Sequence, residues 1–319
     1  MKRIIITGFS GFVSRHFLNY LYKNTVSFEV LGVDMNAPNF NLEKYEDRLK
    51  VTFKEVNLLD EDELNNTIKQ FQPDYVLHLA SISSVAYSWK NPAECFYNNT
   101  RIFLNLIDAL RKNNLQNCRV LSVGSSEEYG NVSEEQLPLK EDMQLSPVNP
   151  YAVARVSQEM MAKVYVEGFG MNIILTRSFN HIGPYQDKRF VIPSFIHRIL
   201  ELKAQGLEEG CIEVGDITVV RDFLDVRDIV EAYYLLLIKG VPGEVYNICS
   251  GDGRELSSII AEIADIVDIH INSKVNEAYL RPDECRKVIG SYEKINKAFG
   301  WEPKISLRQT LKDMIDKSV

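Results

Sequence analysis

Apolar and polar residues follow a regular rhythm through the first 180 residues, where short apolar runs are separated by longer amphipathic stretches. The apolar runs predict strands at 3–7, 28–33, 51–56, 74–79, 118–123 and 172–176. The amphipathic stretches predict helices near 12–23, 61–71, 92–113 and 150–168. Because polar residues hardly alternate inside the strands, we expect a parallel sheet that is covered by helices on both faces.

The rhythm changes after residue 180. The segment NHIGPYQDKR, rich in charge and turn residues, comes before a predicted helix near 191–204, and short strands then lead to the apolar helix IVEAYYLLLIKG. Later helices are predicted near 255–266, 291–299 and 307–317. We therefore predict an α/β chain in two parts: a Rossmann-like doubly wound parallel sheet in residues 1–180, with a segment returning to it near 215–250, and a smaller α/β C-terminal lobe in residues 181–319.

Composition argues against several classes of protein. The 319 residues include 44 acidic and 36 basic side chains, and the net charge of −8 argues against nucleic-acid binding. No apolar run approaches about 18 residues, so we expect no membrane span, and we interpret MKRIIIT as a buried strand rather than a signal peptide. The five cysteines are scattered without a CxxC or Cys/His cluster, which predicts no metal site and no disulfide framework, with the cytoplasm as the expected location.

A glycine-rich turn, TGFSGFVS, follows the first predicted strand and opens the first helix. Gly8 is expected to make the tight turn, and Gly11 to let the backbone approach a pyrophosphate at the helix N-terminus. Asp34 ends the second strand, where a carboxylate accepts hydrogen bonds from ribose hydroxyls and repels a 2′-phosphate. This pattern favours NAD(H) as the cofactor, with NADP(H) as an open alternative. The alternative is that Asp34 has only a structural role and caps the end of its strand.

Two further segments contain groups suited to proton transfer. The fifth strand ends in the hydroxyl-rich turn GSSEEYG, which contains Ser125, and the segment NPYAVAR places Tyr151 on the first turn of a helix with Arg155 four residues later. Such chemistry needs a phenol that exchanges a proton with a carbonyl or alcohol, a hydroxyl that orients the same oxygen, and a cation that favours the phenolate. The alternative is that Tyr151 packs at the start of its helix beside a solvated Arg155.

In this context the chain resembles the extended short-chain dehydrogenase/reductases of the NAD-dependent epimerase/dehydratase family that act on nucleotide sugars. The resemblance covers essentially the whole chain, through TGFSGF, PDYVLHLAS, GSSEEYG, NPYAVAR, RSFNHIGP, VVRDFLDVRDIVEAY, GEVYNICSG and RPDE in the family's order. The segments SSVAYSW, GSSEEYG, FNHIGP and RDFLDVRD are most similar to those of GDP-4-keto-6-deoxy-mannose reductases. The segment RPDE resembles one that these reductases share with GDP-mannose 4,6-dehydratases.

The resemblance implies roles for the residues that match the family's motifs. Ser125 and Tyr151 match the catalytic proton-handling pair, Arg155 stands at the position of a lysine, and Glu127 matches the glutamate with which dehydratases remove the C5 proton. The residues implied in cofactor binding, besides Tyr151 and Arg155, are Gly8, Ser10, Gly11, Phe12, Val13, Asp34, Asn57, Leu58, Leu79, Ala80, Ser81, Ser83, Asn99 and His181. Those implied in substrate binding are Ser83, Ser126, Glu127, Asn180, Val191, Arg221 at the phosphates, and Arg281 and Glu284 at the guanosine end.

Together these roles imply an NAD(P)-dependent reductase that converts the C4 ketone of a GDP-4-keto-6-deoxy sugar to a product of the GDP-rhamnose type. Hydride would pass from the nicotinamide to C4 while Tyr151 protonates the oxygen. One alternative is a GDP-mannose-type 4,6-dehydratase, or a sugar epimerase, that recycles its NAD internally. A second alternative is a cofactor-binding protein with weakened catalysis.

Three departures from the family pattern bear on these expectations. Ser14 replaces the third glycine of the turn, where a small residue is expected to be tolerated. Ile102 and Phe103 replace a Gly-Thr pair, so packing on the cofactor side is expected to differ. Arg155 replaces the lysine, and no lysine in the chain has a tyrosine four residues before it. Because arginine stays protonated, we expect a functional but re-tuned site, with slower proton exchange or a tightly bound cofactor.

The helices near 92–113 and 150–168 also have apolar stripes. In this family such helices often pair as a four-helix bundle, which predicts a homodimer, although core packing within one chain explains the same stripes. Three other features have a purely structural alternative: Arg221 as a partner of Asp222 or Asp225, Arg281 as a surface residue before a proline, and SSVAYSW as a plain loop with Trp89 in the core.

Overall fold

The computed structural model describes residues 1–280 and 285–317, and contacts divide the chain into two units. The first unit contains residues 1–130, 141–178 and 230–247, and the second contains 131–140, 179–229 and the chain from 248 onwards. Residues 131–140 thus group with the second unit, whereas the sequence places them in the first domain. The segment that returns to the first unit lies inside the predicted 215–250. The domain boundary near residue 180 stays a prediction.

The strands and helices are numbered here in chain order over the described residues. The strands are β1 Lys2–Thr7, β2 Phe28–Asp34, β3 Lys50–Glu55, β4 Tyr75–His78, β5 Arg119–Ser125, β6 Asn172–Ser178, β7 Asn180–Ile182, β8 Glu209–Val214, β9 Val220–Asp225, β10 Val245–Ile248, β11 Gly253–Glu255, β12 His270–Val275 and β13 Lys287–Val288. The helices are α1 Phe12–Lys23, α2 Glu61–Phe71, α3 Val85–Lys90, α4 Pro92–Lys112, α5 Pro150–Phe169, α6 Val191–Ala204, α7 Val226–Lys239, α8 Leu256–Val267, α9 Glu293–Phe299 and α10 Leu307–Asp316.

The first unit is built on a seven-stranded sheet in the order β10-β6-β5-β4-β1-β2-β3. The pairs β1–β2, β2–β3, β1–β4, β4–β5 and β5–β6 are all parallel. From β3 to β6 this is the doubly wound order, in which the direction of winding reverses between β1 and β4. The predicted α/β fold with a Rossmann-like sheet is therefore confirmed, and ligands of such sheets bind beyond the carboxyl ends of the strands at that reversal.

Burial on both faces of the sheet explains why the strand predictions succeeded. Ile4, Ile5 and Ile6 point alternately to opposite faces of β1, yet all three are buried. On one face, Val33 and Val120 pack with apolar residues of α2 and α4 in a continuous core. A strand that is buried on both faces needs an unbroken apolar run, which is the pattern that the sequence shows.

The second unit contains two small sheets. In the larger one β9 lies between β11 and β13 and also pairs with β7, and in the smaller one β8 and β12 are parallel. Its core is formed by isoleucines of α6 and α8 with Leu311 of α10. The elements of this unit therefore form an α/β lobe.

Helix α3 is the main element that the sequence did not resolve. The Oγ of Ser84 accepts a hydrogen bond of 3.1 Å from the backbone N–H of Tyr87 and so caps the N-terminus of this six-residue helix. Trp89 on this helix is 40% exposed, so the alternative that places it in the core is wrong.

The described residues contain neither a candidate membrane span nor a candidate metal site. No helix there has the length and apolarity that a membrane crossing needs. Likewise, the described part of the chain contains no group of three or more His, Cys, Asp or Glu side chains arranged to bind a metal ion.

Candidate active site

The glycine turn after β1 has the geometry of a phosphate-binding turn. Gly8 has a φ of +67°, and a Cβ at this position would lie 2.8 Å from the backbone nitrogen of Ala80, so only glycine fits. The N–H of Gly11 donates to the carbonyl of Gly8 over 3.1 Å, and α1 starts at Phe12 after the N-cap Gly11, which has no side chain to cap the helix. The N-terminus of α1 therefore suits an anion.

Ser14 replaces the third glycine of the turn without disturbing it. Its side chain is fully buried, and its hydroxyl donates to the carbonyl of Gly11 over 2.7 Å and also contacts the carbonyl of Phe9. The serine therefore stabilises the turn from inside the helix.

The carboxylate of Asp34 at the end of β2 is bound to this turn. Its Oδ2 accepts a hydrogen bond of 3.0 Å from the N–H of Ser10, and its Oδ1 accepts one of 3.3 Å from the N–H of Asn36. Asp34 thus caps the strand end, as the alternative proposes, and at the same time fixes a negative charge beside the turn. A carboxylate at this point of the fold is suited to ribose hydroxyls.

The loop after β4 forms the other side of the turn. The N–H of Ala80 donates to the hydroxyl of Thr7 over 3.2 Å, and the side-chain amide of Asn99 exchanges hydrogen bonds with both backbone groups of Ile82. Asn99 therefore stabilises this loop, and a direct contact with the cofactor stays a prediction. The Oγ of Ser81 is buried and has no hydrogen-bond partner among the described residues, which suits a polar atom of a ligand.

Other predicted cofactor residues lie near the same strand ends. Asn57 follows β3, where its side chain accepts a hydrogen bond of 3.0 Å from the N–H of Leu59, and the carbonyl of Leu58 accepts one of 2.9 Å from Asn105. The remaining ones in the first unit are Val13 in the first turn of α1, and Leu79 and Ser83 in the loop after β4.

Tyr151 and Arg155 form one buried unit at the start of α5. The Nε of Arg155 donates to the phenol oxygen of Tyr151 over 3.2 Å, and the guanidinium carbon lies 5.2 Å from the centre of the ring. The Nη1 of Arg155 donates to the carbonyl of Val123 and to Gln158 over 3.0 and 2.8 Å. Arg155 is only 5% exposed, so the alternative of a solvated arginine beside a packing tyrosine is wrong.

The hydroxyl-rich turn after β5 is connected to the same helix. The Nδ2 of Asn149, which caps α5, donates to Glu127 over 2.8 Å, and the N–H of Glu127 donates to the Oγ of Ser125 over 3.2 Å. Ser126, the residue between Ser125 and Glu127, is 9% exposed. The structure therefore links Ser125, Glu127 and Asn149 in one chain of hydrogen bonds that leads to the first turn of the tyrosine helix.

Two buried titratable groups lie close to this unit. Burial, and then the charge of Arg155, lower the pKa of His78 to about 3, so this histidine is neutral. Glu128 is completely buried beside Ser125, and sequence reasoning assigned it no role. The only signal in the sequence is the second glutamate of GSSEEYG, in a turn where exposed acidic residues are common.

Ile102 and Phe103 of α4 are both buried. The ring of Phe103 lies 5.6 Å from that of His78. The two side chains therefore pack beside β4, and a difference from the family in cofactor-side packing stays a prediction.

Within the second unit, Asn180 and Arg221 lie on the neighbouring strands β7 and β9. The Nη1 of Arg221 donates to the carbonyl of Val220 over 2.9 Å. The carboxylate of Asp222 binds Ser250 and nearby backbone N–H groups, and that of Asp225 binds Arg227. The alternative that Arg221 is a structural partner of one of these aspartates stays a prediction.

Four other residues of this unit were predicted as site residues. Burial lowers the pKa of His181, whose Nδ1 lies 3.2 Å from the carbonyl of Phe179, and Val191 is the first residue of α6. Arg281 and Glu284 lie outside the described residues.

Known proteins match this chain over nearly its whole length. The GDP-6-deoxy-D-mannose reductase of Pseudomonas aeruginosa is 34% identical over 314 residues, which cover 98% of this chain and 96% of that protein. The solved structure of RMD from Pseudomonas aeruginosa complexed with NADPH has a TM-score of 0.84 at 33% identity, over 100% of this chain and 99% of that one. The UDP-glucose 4-epimerase of Thermotoga maritima with UDP-glucose has a TM-score of 0.86 at 29% identity, over 99% and 98%.

The match to a family model agrees with these relatives. Residues 5–314 match the model of the family described as GDP-mannose 4,6 dehydratase. The resemblance seen in the sequence is confirmed, and the chain belongs to the GDP-mannose 4,6 dehydratase family.

Proposed function

We propose that this chain reduces the C4 ketone of a GDP-4-keto-6-deoxy sugar with a nicotinamide cofactor. The observation that carries the proposal is the buried Tyr151–Arg155 pair, because a phenol bonded to a fixed cation is suited to give a proton to an alkoxide oxygen. The relative that is 34% identical over nearly the whole chain is a GDP-6-deoxy-D-mannose reductase, which supports the same reaction.

The first unit fits a nicotinamide dinucleotide at the reversal of its sheet. Gly8 lets the loop after β4 pack closely against the turn, and the N-terminus of α1, whose N-cap Gly11 has no capping side chain, suits the pyrophosphate. The unpartnered Oγ of Ser81 is a further donor on the neighbouring loop. When bound, the nicotinamide supplies the hydride.

The residues of the catalytic unit then divide the proton chemistry among them. Tyr151 donates its hydroxyl proton to the C4 oxygen, and the hydroxyl of Ser125 donates a hydrogen bond to that oxygen. The Nε–H of Arg155 binds the phenolate that remains and neutralises its charge. Among the described residues the Nη2 of Arg155 has no hydrogen-bond partner, so it is the guanidinium nitrogen that we assign to the cofactor.

For the substrate, we propose that the guanidinium of Arg221 binds the diphosphate and that Asn180, on the neighbouring strand, binds a sugar hydroxyl. Arg281 and Glu284 stay our proposed contacts to the guanosine. Ser83, Ser126 and Val191 complete the proposed set.

The test is to supply the purified protein with GDP-4-keto-6-deoxy-mannose or GDP-mannose. We expect NADH or NADPH to be consumed only with the keto sugar. Formation of a keto sugar from GDP-mannose without added cofactor would instead show a 4,6-dehydratase, with Glu127 as the base for C5. Cofactor binding without turnover of either sugar would favour the second alternative, a cofactor-binding protein with weakened catalysis.

We also propose that Asp34 makes the protein prefer NADH, which an Asp34→Asn variant tests. The amide keeps an oxygen acceptor for the N–H of Ser10 but removes the charge that repels a 2′-phosphate. We expect the ratio of kcat/KM for NADH over NADPH to fall about tenfold, the factor that corresponds to 1.4 kcal/mol.

Glu55→Gln is the matched control for this variant. Glu55 is exposed and lies opposite Asp34 on the neighbouring strand β3. We expect the ratio of kcat/KM for NADH over NADPH in Glu55→Gln to equal that of the wild type. Equal use of both cofactors by the wild type would show that Asp34 does not set the preference.

We further propose a homodimer through α4 and α5. The apolar stripe FLNLIDAL of α4 is largely buried in the core of its own unit, so core packing explains that stripe. On α5, however, Val153, Met160 and Val164 are exposed, and their spacing of seven and four residues places them on one face. Such a face is typical of a helix that packs against a partner.

A Met160→Glu variant tests this interface. Met160 is 47% exposed, and a charge at the centre of a buried apolar contact is expected to raise the dimer dissociation constant at least about tenfold. Sedimentation equilibrium measures that constant. Leu207→Glu, an exposed leucine outside this face, is the control and is expected to leave the dimer intact. A wild-type monomer at micromolar concentration would contradict the proposal.

A further inference from the structure

Glu128 has a completely buried side chain at the centre of the catalytic turn. It lies in the short 3-10 helix Ser126–Tyr129 after β5, and its Oε1 accepts a hydrogen bond of 2.7 Å from the N–H of Ser125. A Cβ at Gly124 would lie 2.5 Å from the same oxygen, so the glycine leaves the space that the carboxyl group occupies. The Oε2 is buried and has no hydrogen-bond partner among the described residues. An unsatisfied buried oxygen of this kind requires a physical reason.

Charged groups surround Glu128 from two other elements. Helix α5 contributes Arg155 and Glu159, and strand β6 contributes Arg177, which binds Glu159 through two hydrogen bonds of 3.0 and 2.8 Å. Tyr129, next to Glu128 on the same turn, donates its hydroxyl to Asn247 over 2.7 Å. The carboxyl group of Glu128 therefore lies in a cluster where two arginines already have fixed partners.

Within this cluster the surroundings favour the protonated form of Glu128 and the ionised form of Glu159. Burial, and then the negative charge of Glu159, raise the pKa of Glu128 to about 8, against the opposing effects of Ser125, Arg177 and Arg155. Burial also opposes the ionisation of Glu159, but its bonds to Arg177 and Lys163 outweigh burial and lower its pKa. Burial without a partner for Oε2 costs a neutral carboxyl less free energy than it costs a carboxylate.

Arg155 contributes a fixed positive charge beside the phenol oxygen of Tyr151. The carboxyl group of Glu128 does titrate, and it contacts Ser125 directly while its charge interacts with that of Arg155.

We propose that Glu128 is a positioning residue of the active site, which fixes the backbone of Ser125 and, by binding or releasing a proton, adjusts the net charge around Tyr151 and Arg155. This rests on the proposed reduction by Tyr151. While Glu128 is neutral, the full charge of Arg155 stabilises the phenolate that forms when Tyr151 gives up its proton. Once Glu128 releases its proton to solvent, the new carboxylate offsets that charge, and the phenolate forms less readily.

The first test compares the pH dependence of kcat for ketone reduction in the wild type and in Glu128→Gln. The glutamine keeps an oxygen for the N–H of Ser125 but does not ionise. We expect the wild-type kcat to fall about tenfold on the alkaline side of pH 8 and the variant to lack this fall. Glu167→Gln, an exposed glutamate of the same helix α5, is expected to follow the wild-type profile.

The second test uses thermal unfolding and needs no substrate. Because the folded chain retains the proton of Glu128 up to about pH 8, whereas the unfolded chain releases it near the ordinary value of 4.5, the wild type loses stability as pH rises across that window. Glu128→Gln lacks this loss, so its Tm relative to that of the wild type is expected to rise between pH 5 and pH 9.

The outcomes separate this proposal from the proposed function. An alkaline fall that is the same in both proteins, or a Tm difference that does not change with pH, would overturn the role of Glu128 and leave the reductase intact. A wild type without activity on the keto sugar would overturn the proposed function, while the pH dependence of the Tm difference would still report whether Glu128 is a buried acid.

Discussion

Replacing Tyr151 by phenylalanine is expected to lower kcat for ketone reduction by about 10²–10⁴-fold, the range that positioned acid–base groups supply. The phenol oxygen bonded to the Nε of Arg155 is the proton donor in the proposed reaction, and phenylalanine lacks it. The ring remains, together with its contact of 5.2 Å to the guanidinium, so the fold and the cofactor site are preserved. The value of kcat with the keto sugar and NADH reports the loss of the proton donor. The dissociation constant of NADH reports whether the cofactor site is preserved.

Arg155→Lys is the comparison for this variant. Lysine keeps a positive charge four residues from Tyr151 but does not have the planar fork that binds Val123 and Gln158 together with the phenol. We expect it to retain the rate within about tenfold, far above that of Tyr151→Phe. If Tyr151→Phe instead retains most of the wild-type rate, another group protonates the C4 oxygen.

Local spacing in the sequence was enough to predict most of the fold. The apolar runs became β1, β2, β4, β5 and β6 because these strands are buried on both faces, whereas β3, at the edge of the sheet, is only partly buried. The predicted bounds of α1, α2 and α6 agree with the structure. Helix α3 was missed because six residues contain too few turns to show a helical period. The helix starts at the capping hydroxyl of Ser84, and in the sequence a serine at this position is equally consistent with a loop.

The site was predictable only where neighbours in space are also neighbours in sequence. Gly8 and the Tyr151–Arg155 pair are local features, and motif spacing indicated both. The burial of Arg155 was not visible in the sequence, because it depends on the carbonyl of Val123, 32 residues away. The surroundings of Glu128 likewise depend on Arg177, which reaches the cluster from another strand.

The largest expected effect on stability comes from removing the carboxylate of Glu159. Its two oxygens bind the guanidinium of Arg177 at 2.8 and 3.0 Å, and both side chains are almost fully buried. In Glu159→Leu the arginine charge stays buried without its partner, a defect that costs about 3–5 kcal/mol in the free energy of unfolding. Urea denaturation measures this loss.

Two further variants establish that the unpaired charge is the cause. Lys163→Met removes the other cation bound to Glu159, but this lysine is about one-third exposed, so the expected loss is under about 1 kcal/mol. Combining Glu159→Leu with Arg177→Met removes both charges, and the double variant is expected to be more stable than Glu159→Leu alone, because an apolar pair of similar size carries no desolvated charge. A double variant that is less stable than Glu159→Leu would instead show that the bonds of Arg177 to the carbonyl of Glu141 and to the ring of Tyr129 contribute more than its charge costs.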